Sequence, residues 1–590
     1  MPSKTNTVSR VYKRTFAKLT RVTNLSTARS GAFGLLALAS FCAAFVCSCR
    51  HAAPNPTPPP TAFAPIRLVD VAKDAGVDYA WPKPPGVFGT KEAFGCGCAF
   101  IDYDNSGWQD ILLVARPHPL LYRNLGNGRF EDVTQKMGLA RLNGFWTGCA
   151  VGDYDGDGYL DILLTGYKCL ALLKNDNGKG FIDTTKSAGL DPTNQGKWGS
   201  GAGFMDLAGH GRLDLVILNY VVLPSPQDDY CRMKGTMTGC PPSHYKAEYP
   251  ELWENVGTGK FKDVTEQSGL LASAGKNLVL GFIDLTGSGR PGVFIGNDGT
   301  TDAFFENEGE MRFKDIGQRL GLATTQNGET ISTMSADWAD YDRDGRFDFF
   351  TTNFSHSSFQ LFHNIGQGLF EHTENQAGVS TNIPLGFGAK WADLDNKGWP
   401  DLLCLCGNVY ELPGSKEPAD AFKEPSILFY NENGKKFVDI APEIGGALMR
   451  PILGRGLASG DYDNDGRIDF LAVDLEGPAL LLHNETRTSN HWITLDLRSP
   501  TANRFAYGAQ VTARNGKDVW VGYVSPASSY LSSSDPRLHF GLGQETHLET
   551  ITIRWPSGKT QVLKNIAADH IWRVDEGQPA KIESPAPPSP

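Results

Sequence analysis

The chain of 590 residues is short of positive charge, because 55 lysines and arginines stand against 66 aspartates and glutamates, for a net charge of -11. No basic stretch is interleaved with aromatic residues, and the acidic residues are concentrated in loops. Proteins that bind nucleic acid need a basic surface against the phosphates. The composition therefore argues against a nucleic-acid partner, and 66 glycines with 40% hydrophobic residues fit a turn-rich all-β protein with a large core.

The segment VGDYDGDGYLDILLTG, residues 151–166, lacks two features of an EF-hand. Counted from Asp153, the twelfth residue is Leu164 instead of a bidentate glutamate, and the flank LDILLTG has the pattern of a buried strand, not a helix. Asp155 and Asp157 nevertheless alternate after Asp153, as if around a hard cation, and Asp161 closes the loop. Taken alone, the segment would also suit an acidic hairpin turn.

Six related segments favour the cation. We number the seven acidic loops 1 to 7; their segments begin at residues 101, 151, 205, 283, 339, 392 and 460. A second recurring element lies between them, as in LLYRNLGNGRFEDVTQKMGLA from residue 120. Each unit therefore reads as strand, acidic turn, strand, strand, glycine-rich turn, strand.

Seven units of four short strands predict a seven-bladed β-propeller over residues 66–485. The chain ends support this prediction. The segment IRLVDVAKDAGV, from residue 66, precedes the first acidic loop, whereas the last unit stops at LLLHNE without an equivalent strand. We expect the N-terminal strand to complete the last blade, which would close the ring and remove the open sheet edges.

The N-terminal 49 residues have the pattern of a secretory signal. Six basic residues between positions 10 and 29 precede the apolar stretch GAFGLLALASFCAAFVCSC, and a proline-rich linker over residues 50–65 follows it. The residues VCSC resemble a bacterial lipoprotein cleavage box, with Cys49 as the acylated residue and Cys47 as the weaker choice. An uncleaved membrane anchor is the alternative. The sequence thus predicts export and a lipid anchor at the bacterial cell envelope or surface.

Only 11 residues are cysteines. Cys231 and Cys240 flank RMKGTMTG in a long insert after loop 3, and an oxidising compartment favours a disulfide between them. Two Cys-x-Cys pairs lie near strand ends, Cys96 with Cys98 and Cys404 with Cys406. We expect these four to be small buried packing residues, with a metal or redox role as the alternative.

From residue 486 the acidic loops are absent, and short alternating strands such as HWITLDL and TITIRWP are separated by turns. They predict a second all-β domain, a small sandwich over residues 486–576, before a disordered proline-rich tail at 577–590.

The segments NRFAYGAQVTA, SSYLSSSDPRLHFGLG and IRWPSGKTQVLKN resemble the signature of the ASPIC/UnbV domain. The acidic units resemble the FG-GAP or VCBS repeats that precede this domain in the cartilage acidic protein family. The segment YCRMKGTMTGCPPSHY is similar to a cysteine-bracketed insert of such proteins, which adds to the case for the disulfide. The resemblance implies an extracytoplasmic calcium-binding propeller used for binding or adhesion, and it implies no reaction.

Carried onto this chain, the resemblance implies about four calcium sites. In each, the seventh loop residue would contribute its main-chain carbonyl, and the ligand sets are Asp102, Asp104, Ser106, Trp108 and Asp110; Asp153, Asp155, Asp157, Tyr159 and Asp161; Asp340, Asp342, Asp344, Arg346 and Asp348; Asp461, Asp463, Asp465, Arg467 and Asp469. Loops 3, 4 and 6, at 206–214, 284–292 and 393–401, depart from the pattern. Ala208 and His210 replace ligands in loop 3, Gly292 replaces the last aspartate of loop 4, and Lys397 would place its ammonium in loop 6 where an ion would lie.

The sequence favours a binding or adhesion module for a protein or glycan over an enzyme. No nucleophile is paired with a base, and there is no separate histidine cluster. The alternatives are an active site on the channel face or a purely structural envelope protein. The polar candidates for an active site are strand-end residues and two residues of the C-terminal region: Asn219, Asn297, Asn353, Asp474 and Asp298; Ser534 and His539.

Overall fold

The structure of the chain, a computed structural model, describes residues 66–83, 86–223, 225, 229–272, 274–380, 384–411 and 420–583. The predicted signal, the linker and Cys49 lie outside these residues. No helix within the described ranges is long and apolar enough to cross a membrane. The described residues form one compact unit.

Within the described residues each of the seven repeats contributes four antiparallel strands, which form a four-stranded sheet in six repeats and part of a six-stranded sheet in the first. We number the sheets like their loops. Their strands are, for sheet 1, Cys98–Ile101, Asp110–Leu113, Leu120–Asn124 and Phe130–Asp132; for sheet 2, Phe145–Gly152, Asp161–Tyr167, Cys169–Asn175 and Phe181–Asp183; for sheet 3, Gly199–Met205, Asp214–Asn219, Glu251–Gly257 and Lys260–Asp263; for sheet 4, Asn277–Ile283, Gly292–Asn297, Ala303–Gly309 and Arg312–Asp315; for sheet 5, Ala336–Ala339, Asp348–Thr351, Gln360–Gly366 and Leu369–His372; for sheet 6, Gly386–Ala392, Asp401–Cys406, Ile427–Asn431 and Phe437–Asp439; and for sheet 7, Gly454–Gly460, Asp469–Asp474, Leu480–Asn484 and Leu68–Asp70.

The sheets follow one another around an axis. The first strand of each sheet contacts the first strand of the next, and that of sheet 7 contacts that of sheet 1, so these strands form a ring. The N-terminal strand Leu68–Asp70 pairs antiparallel with Leu480–Asn484 as the outer strand of sheet 7. The all-β propeller fold predicted from the sequence is therefore confirmed.

Burial explains why these segments form strands. The second strand of each sheet is packed on both faces, as in DILLTGY of sheet 2, where six consecutive residues are buried. Short helical turns connect the elements, at Thr90–Phe94, Leu139–Arg141, Asn194–Gly196, Pro242–His244, Thr265–Ser268, Leu270–Ala272, Gly317–Leu320, Glu374–Ala377, Ala441–Ile444 and Gly446–Met449.

The insert after loop 3 contains two small hairpins. Val221–Val222 pairs with Lys246–Ala247, and Tyr230–Met233 pairs with Thr236–Gly239. Cys231 and Cys240 are joined by a disulfide bond with an S–S distance of 2.00 Å.

The C-terminal region folds into two further four-stranded sheets. Their strands, in spatial order, are Leu538–Gly543, His491–Arg498, His570–Asp575 and Lys581–Ile582; and Asp518–Tyr523, Gln510–Asn515, His547–Arg554 and Thr560–Ala567. The strand Lys581–Ile582 pairs with Trp572 and Arg573, so ordered structure continues past residue 576, into the predicted tail. Two more short strands, Ala527–Ser528 and Ser532–Ser533, join sheet 1 of the propeller.

Candidate functional site

The first aspartate of each acidic loop organises the loop backbone. The carboxylate of Asp153 accepts hydrogen bonds from the main-chain N–H groups of Gly156, Asp157 and Gly158 at 2.8, 3.0 and 2.8 Å. The sixth loop position is glycine in all seven loops, with φ between 72° and 93°, a conformation that favours glycine. The acceptor role recurs at Asp102, Asp153, Asp206, Asp284, Asp340, Asp393 and Asp461. This residue therefore supports the loop whether or not a metal is bound.

The last aspartate anchors the loop to its sheet. Asp161 is fully buried and accepts the N–H groups of Tyr154 at 3.0 Å and Asn175 at 2.8 Å. The same pair of bonds occurs at Asp110, Asp161, Asp214, Asp348, Asp401 and Asp469. In loop 4, a Cβ on Gly292 would lie 2.6 Å from the ring of Phe304, so the packing leaves no room for an aspartate there.

The carboxylates of loops 1 and 2 converge. In each loop three carboxylate oxygens lie within 4.8 Å of one another, those of Asp102, Asp104 and Asp110 and those of Asp153, Asp155 and Asp161. In loops 5 and 7 the corresponding groups of three contain a histidine, as Asp342, Asp344 and His363 and as Asp463, Asp469 and His483. Among the described residues, Asp155 Oδ1 and Asp463 Oδ1 are buried without a hydrogen-bond partner.

The fifth and seventh loop positions are linked through the main chain. The fifth side chain accepts the N–H of the seventh residue. The pairs are Ser106 with Trp108 at 3.4 Å, Asp157 with Tyr159 at 3.0 Å, Asp344 with Arg346 at 2.9 Å and Asp465 with Arg467 at 3.0 Å. The side chains of Arg346 and Arg467 also pair with the same two aspartates.

Basic side chains from the third strand of the sheet reach into the same four loops. Arg123 Nε lies 2.8 Å from Asp104 Oδ2, Lys174 binds Asp155 and Asp157, and the two histidines contact loops 5 and 7. Loops 3, 4 and 6 have Glu254, Glu306 and Tyr430 at the equivalent position. Sequence reasoning missed that basic side chains reach only these four loops. The signal was present in the sequence, because four of the seven repeats have a basic residue directly before an asparagine.

Burial and mutual repulsion make these carboxylates hard to ionise. Burial, followed by the neighbouring aspartates, raises the pKa of Asp153 to about 7 and that of Asp340 to about 8. The same causes raise the pKa of Asp102 to about 6 and hold that of Asp161 well above its usual range. A cation bound among these groups would favour their ionised forms.

Protein cations occupy two of the loops that depart from the pattern. In loop 6, Lys397 Nζ lies 2.5 Å from Asp395 Oδ2 and also contacts the hydroxyl of Tyr430. Burial alone would lower the pKa of Lys397, but these two partners raise it to about 12. In loop 4, Arg554 from the C-terminal region lies 3.5 Å from Asp284.

The C-terminal region covers the propeller face that carries the acidic loops, which we call the loop face. Contacts from this region reach six loops directly: Arg504 to the carbonyl of Gly156, the N–H of Asn503 to the carbonyl of Gly211, Arg554 to Asp284, Asp518 to Arg343, His539 to Asn396, and Arg537 to the carbonyl of Asp461. Arg498 also acts electrostatically on Asp102 of loop 1.

Comparisons with known proteins agree with this arrangement. Residues 102–164, 284–351 and 340–404 match the FG-GAP-like repeat family, and residues 499–581 match ASPIC and UnbV. The repeats are therefore similar to FG-GAP repeats, and the C-terminal region is similar to ASPIC and UnbV. It is 23% identical over 503 residues to cartilage acidic protein 1 of Mus musculus, covering 73% of each chain. It is 24% identical over 511 residues to cartilage acidic protein 1 of Xenopus tropicalis, covering 78% of this chain and 70% of that protein.

Two solved structures are among those to which the chain is similar. One is an Agrocybe aegerita lectin that recognises non-reducing terminal N-acetylglucosamine, with a TM-score of 0.36 and 16% identity, covering 64% of this chain and 85% of that one. The other is the rhamnogalacturonan lyase YesW, with a TM-score of 0.35 and 13% identity, covering 72% of this chain and 76% of that one.

An asparagine before the glycine-rich turn links neighbouring FG-GAP repeats. The Nδ2 of Asn175 donates to the carbonyl of Leu160 in its own sheet and to that of Tyr103 in the preceding loop. Equivalent bonds to the preceding loop come from Asn124, Asn175, Asn255, Asn307, Asn431 and Asn484. The bond from Asn124 goes to Tyr462, which joins the first repeat to the last. Sequence reasoning missed these residues, although the asparagine recurs in every repeat.

The cysteines in the two Cys-x-Cys pairs are buried free thiols. Burial raises the pKa of Cys96 to about 11 and holds the pKa values of Cys404 and Cys406 well above their usual range. Because thiolates are the form that binds metals and reacts with oxidants, these residues act in packing.

The candidate residues for an active site all make hydrogen bonds within the fold. The Nδ2 groups of Asn219, Asn297 and Asn353 donate to nearby loop carbonyls, and Asp474 accepts the N–H of Leu453. Asp298 accepts the hydroxyl of Tyr220 at 2.7 Å. Ser534 accepts the N–H of Ser459, and His539 lies between Thr494 and Asn396, with its pKa lowered to about 3 by burial. The last two hold the C-terminal region on the propeller.

We predict that Lys397→Asp creates a calcium site in loop 6. The change removes the ammonium from Asp395 and completes the alternating aspartates, so calcium should bind in the millimolar range typical of weak sites. Isothermal calorimetry should show about one more bound ion than in wild type. Lys397→Gln serves as the control, because it removes the charge without adding a ligand. Equal stoichiometry in all three proteins would contradict the prediction.

We also predict that, in the presence of chelator, the stability of the protein falls as the pH rises. The buried aspartates hold protons that the unfolded chain, with ordinary carboxyl pKa values, has already lost, so raising the pH from about 5 to 8 favours unfolding. His483 acts in the same direction, because the bond to Asp469 raises its pKa to about 9 and its stabilisation is lost as the pH rises. The melting temperature with EDTA should fall over this range. A rise over the same range would contradict the argument.

Proposed function

We propose that the chain is an exported calcium-binding β-propeller that acts as a binding or adhesion module for a protein or glycan. The observation that carries the proposal is the convergence of carboxylates in loops 1 and 2, where three oxygens lie within 4.8 Å. The buried, unpartnered Oδ1 of Asp155, counted among the described residues, is an open ligand position of the same kind. Oxygen-only donor sets of this type suit calcium.

The proposed calcium sites are structural. Within each ligand set the first and last aspartates already hold the loop and the sheet together, so a bound ion would join the alternating carboxylates to an existing frame. Extracellular modules bind calcium with dissociation constants of about 0.1 to 1 mM, so a few millimolar calcium would fill such sites. At the third and fifth positions, such as Asp155 and Asp157, the metal would then replace the basic side chain that pairs with these carboxylates.

Lys174 is the competitor in loop 2. Its ammonium binds Asp155 and lies 2.9 Å from Asp157, with the lysine side chain about one third exposed at 31%. A flexible lysine at this exposure gains little from an ion pair, about 1 kcal/mol or less. A divalent ion held by four carboxylates and a carbonyl should displace it, after which the ammonium turns to solvent.

The partner surface is expected away from the loop face, since the C-terminal region already covers that face. The opposite face carries the disulfide-bonded insert, and exposed Tyr230 and Met237 lie on its hairpin. The N-terminal sequence supports export, and a lipid on Cys49 would tether the module to the cell envelope. A protein or glycan of the surroundings is then the natural partner, and no reaction is needed.

Calorimetry of the full chain tests the proposal. Calcium should titrate about four sites in wild type, and Asp155→Ala should remove one of them. Asp395→Ala, at the same position of loop 6, is the matched control and should leave the number unchanged, because Lys397 replaces the fifth ligand of that loop. Capture on immobilised envelope polysaccharides and proteins, with calcium or chelator, tests the binding role. Absence of any calcium heat would overturn the metal assignment.

A further inference from the structure

The residues 525–535 of the C-terminal region, which we call the plug segment, enter the ring of first strands. The strand Ala527–Ser528 contacts the first strands of sheets 3 and 4, and Ser532–Ser533 contacts those of sheets 1, 2 and 7. The N–H of Ser529 donates to the carbonyl of Ala336 in sheet 5, and Ser528 Oγ accepts Lys390 Nζ of sheet 6 at 2.7 Å. One short segment therefore touches all seven sheets along the propeller axis.

The plug segment is deeply buried. Tyr530 is 1% exposed, and its hydroxyl donates to the carbonyl of Phe94 at 2.9 Å. The channel walls bond to the segment in turn, because the N–H of Cys98 donates to Ser532 Oγ and the N–H of Cys149 donates to the carbonyl of Leu531, both at 3.1 Å. Beside the segment a cavity of about 240 Å³ remains, and its lining includes Ser528, Lys390 and Asp337.

The plug segment nevertheless has backbone strain and unsatisfied polar groups, which are unusual in a permanent core. Ser529 and Leu531 have φ of 64° and 57°, in the left-handed region that residues with a side chain rarely adopt. Within the described part of the chain, the hydroxyls of Ser529 and Ser533 are buried and have no hydrogen-bond partner. Serine accounts for most of the segment between residues 525 and 534, so Tyr530 and Leu531 supply most of the apolar contact that offsets these penalties.

We propose that the plug segment is a displaceable occupant of the propeller channel, which withdraws without unfolding of the sheets. Strained, incompletely bonded segments of this kind are typical of switch regions. Withdrawal widens the cavity beside the segment, which Lys390 and Asp337 line with their charged atoms 2.9 Å apart, so a ligand that enters the open channel is polar. The proposal does not depend on calcium binding.

Hydrogen exchange of the full chain tests it. The amides of Cys98 and Cys149 are bonded to the plug segment, so they should exchange at least about 100-fold faster than amides of the middle strands, such as Leu163. The wild-type thiols offer a second measurement. Cys98 and Cys149 should react with N-ethylmaleimide before Cys404 and Cys406, which contact only propeller residues. Equal rates at all these positions, set by global unfolding, would overturn the proposal.

A disulfide crosslink between the plug segment and sheet 1 distinguishes withdrawal of the segment from general fluctuations of the propeller. Ser532 Oγ lies 3.8 Å from Cys98 Sγ, so Ser532→Cys places two thiols side by side. Oxidation should join them and slow the exchange of the Cys149 amide at least tenfold, whereas the reduced form of the same variant should exchange like wild type. Wild type carried through the same oxidant and reductant controls for the disulfide between Cys231 and Cys240. Failure to crosslink, or unchanged exchange in the locked form, would contradict displacement.

Discussion

We expect chelation of calcium to lower the melting temperature of the full-length protein by roughly 4 to 8 °C. Each site adds on the order of 1 to 2 kcal/mol by mass action at a few millimolar calcium, so about four sites contribute roughly 4 to 8 kcal/mol. The unfolding entropy of a chain with roughly 500 folded residues is about 1 kcal/mol per degree, which converts that loss into the stated shift. Differential scanning calorimetry with EDTA and with excess calcium measures it.

Magnesium is the control for this experiment. Its smaller radius and demand for octahedral geometry make it a poor substitute in loops built from alternating carboxylates and a carbonyl. Added calcium should therefore restore the melting temperature after chelation, and equal magnesium should restore little. The calcium effect should also increase with pH, since the ion competes with protons at Asp153 and Asp340. A melting curve that does not respond to chelator would contradict the role assigned to the acidic loops.

Asp161→Ala destabilises the protein by about 2 to 4 kcal/mol in chelator and by about 1 to 2 kcal/mol more when calcium is present. The carboxylate is fully buried and accepts two main-chain N–H groups, from Tyr154 and Asn175. Removing it leaves both donors unsatisfied in the core. In calcium it also removes one ligand of loop 2, and this second loss appears only when the ion is available. Urea unfolding in both conditions measures the two contributions.

Asp401→Ala is the matched control, because Asp401 accepts the N–H groups of Leu394 and Asn431 at 3.2 and 2.8 Å and is 2% exposed. It loses the same bonds, but Lys397 keeps calcium out of its loop. The two variants should be equally destabilised in chelator and should differ in calcium. If the difference between them is the same in both conditions, loop 2 does not bind calcium.

Local periodicity made the propeller predictable. The alternation of strand, acidic turn and glycine-rich turn depends on residues that are near one another in the chain. The sequence of each repeat is therefore enough to predict its sheet. The missing strand of the last unit likewise predicted that residues from 66 onward would pair there, and Leu68 does lie opposite Asn484. The alternating aspartates predicted ligand sets in loops 1, 2, 5 and 7; three carboxylates come within 4.8 Å in loops 1 and 2, whereas the groups in loops 5 and 7 include a histidine.

Other features of the site depend on contacts between residues that are far apart in the sequence. Lys174 lies on a different strand from Asp155, and it reaches the loop because the strands of sheet 2 pair in register. Gly292 was readable as a missing ligand, but only the ring of Phe304 explains why nothing larger fits.

The sequence by itself determined the repeat, the all-β class, the acidic loops and the change of pattern at residue 486. The tertiary structure alone decided that the C-terminal region covers those loops and sends residues 525–535 into the channel. The physical reason is distance along the chain. Ser532 and Cys98 are separated by 434 positions, and their contact depends on the closure of the whole ring and not on any periodic pattern. A local pattern can specify a strand and its turn, but the occupant of a channel is fixed only when all the surrounding strands are in place.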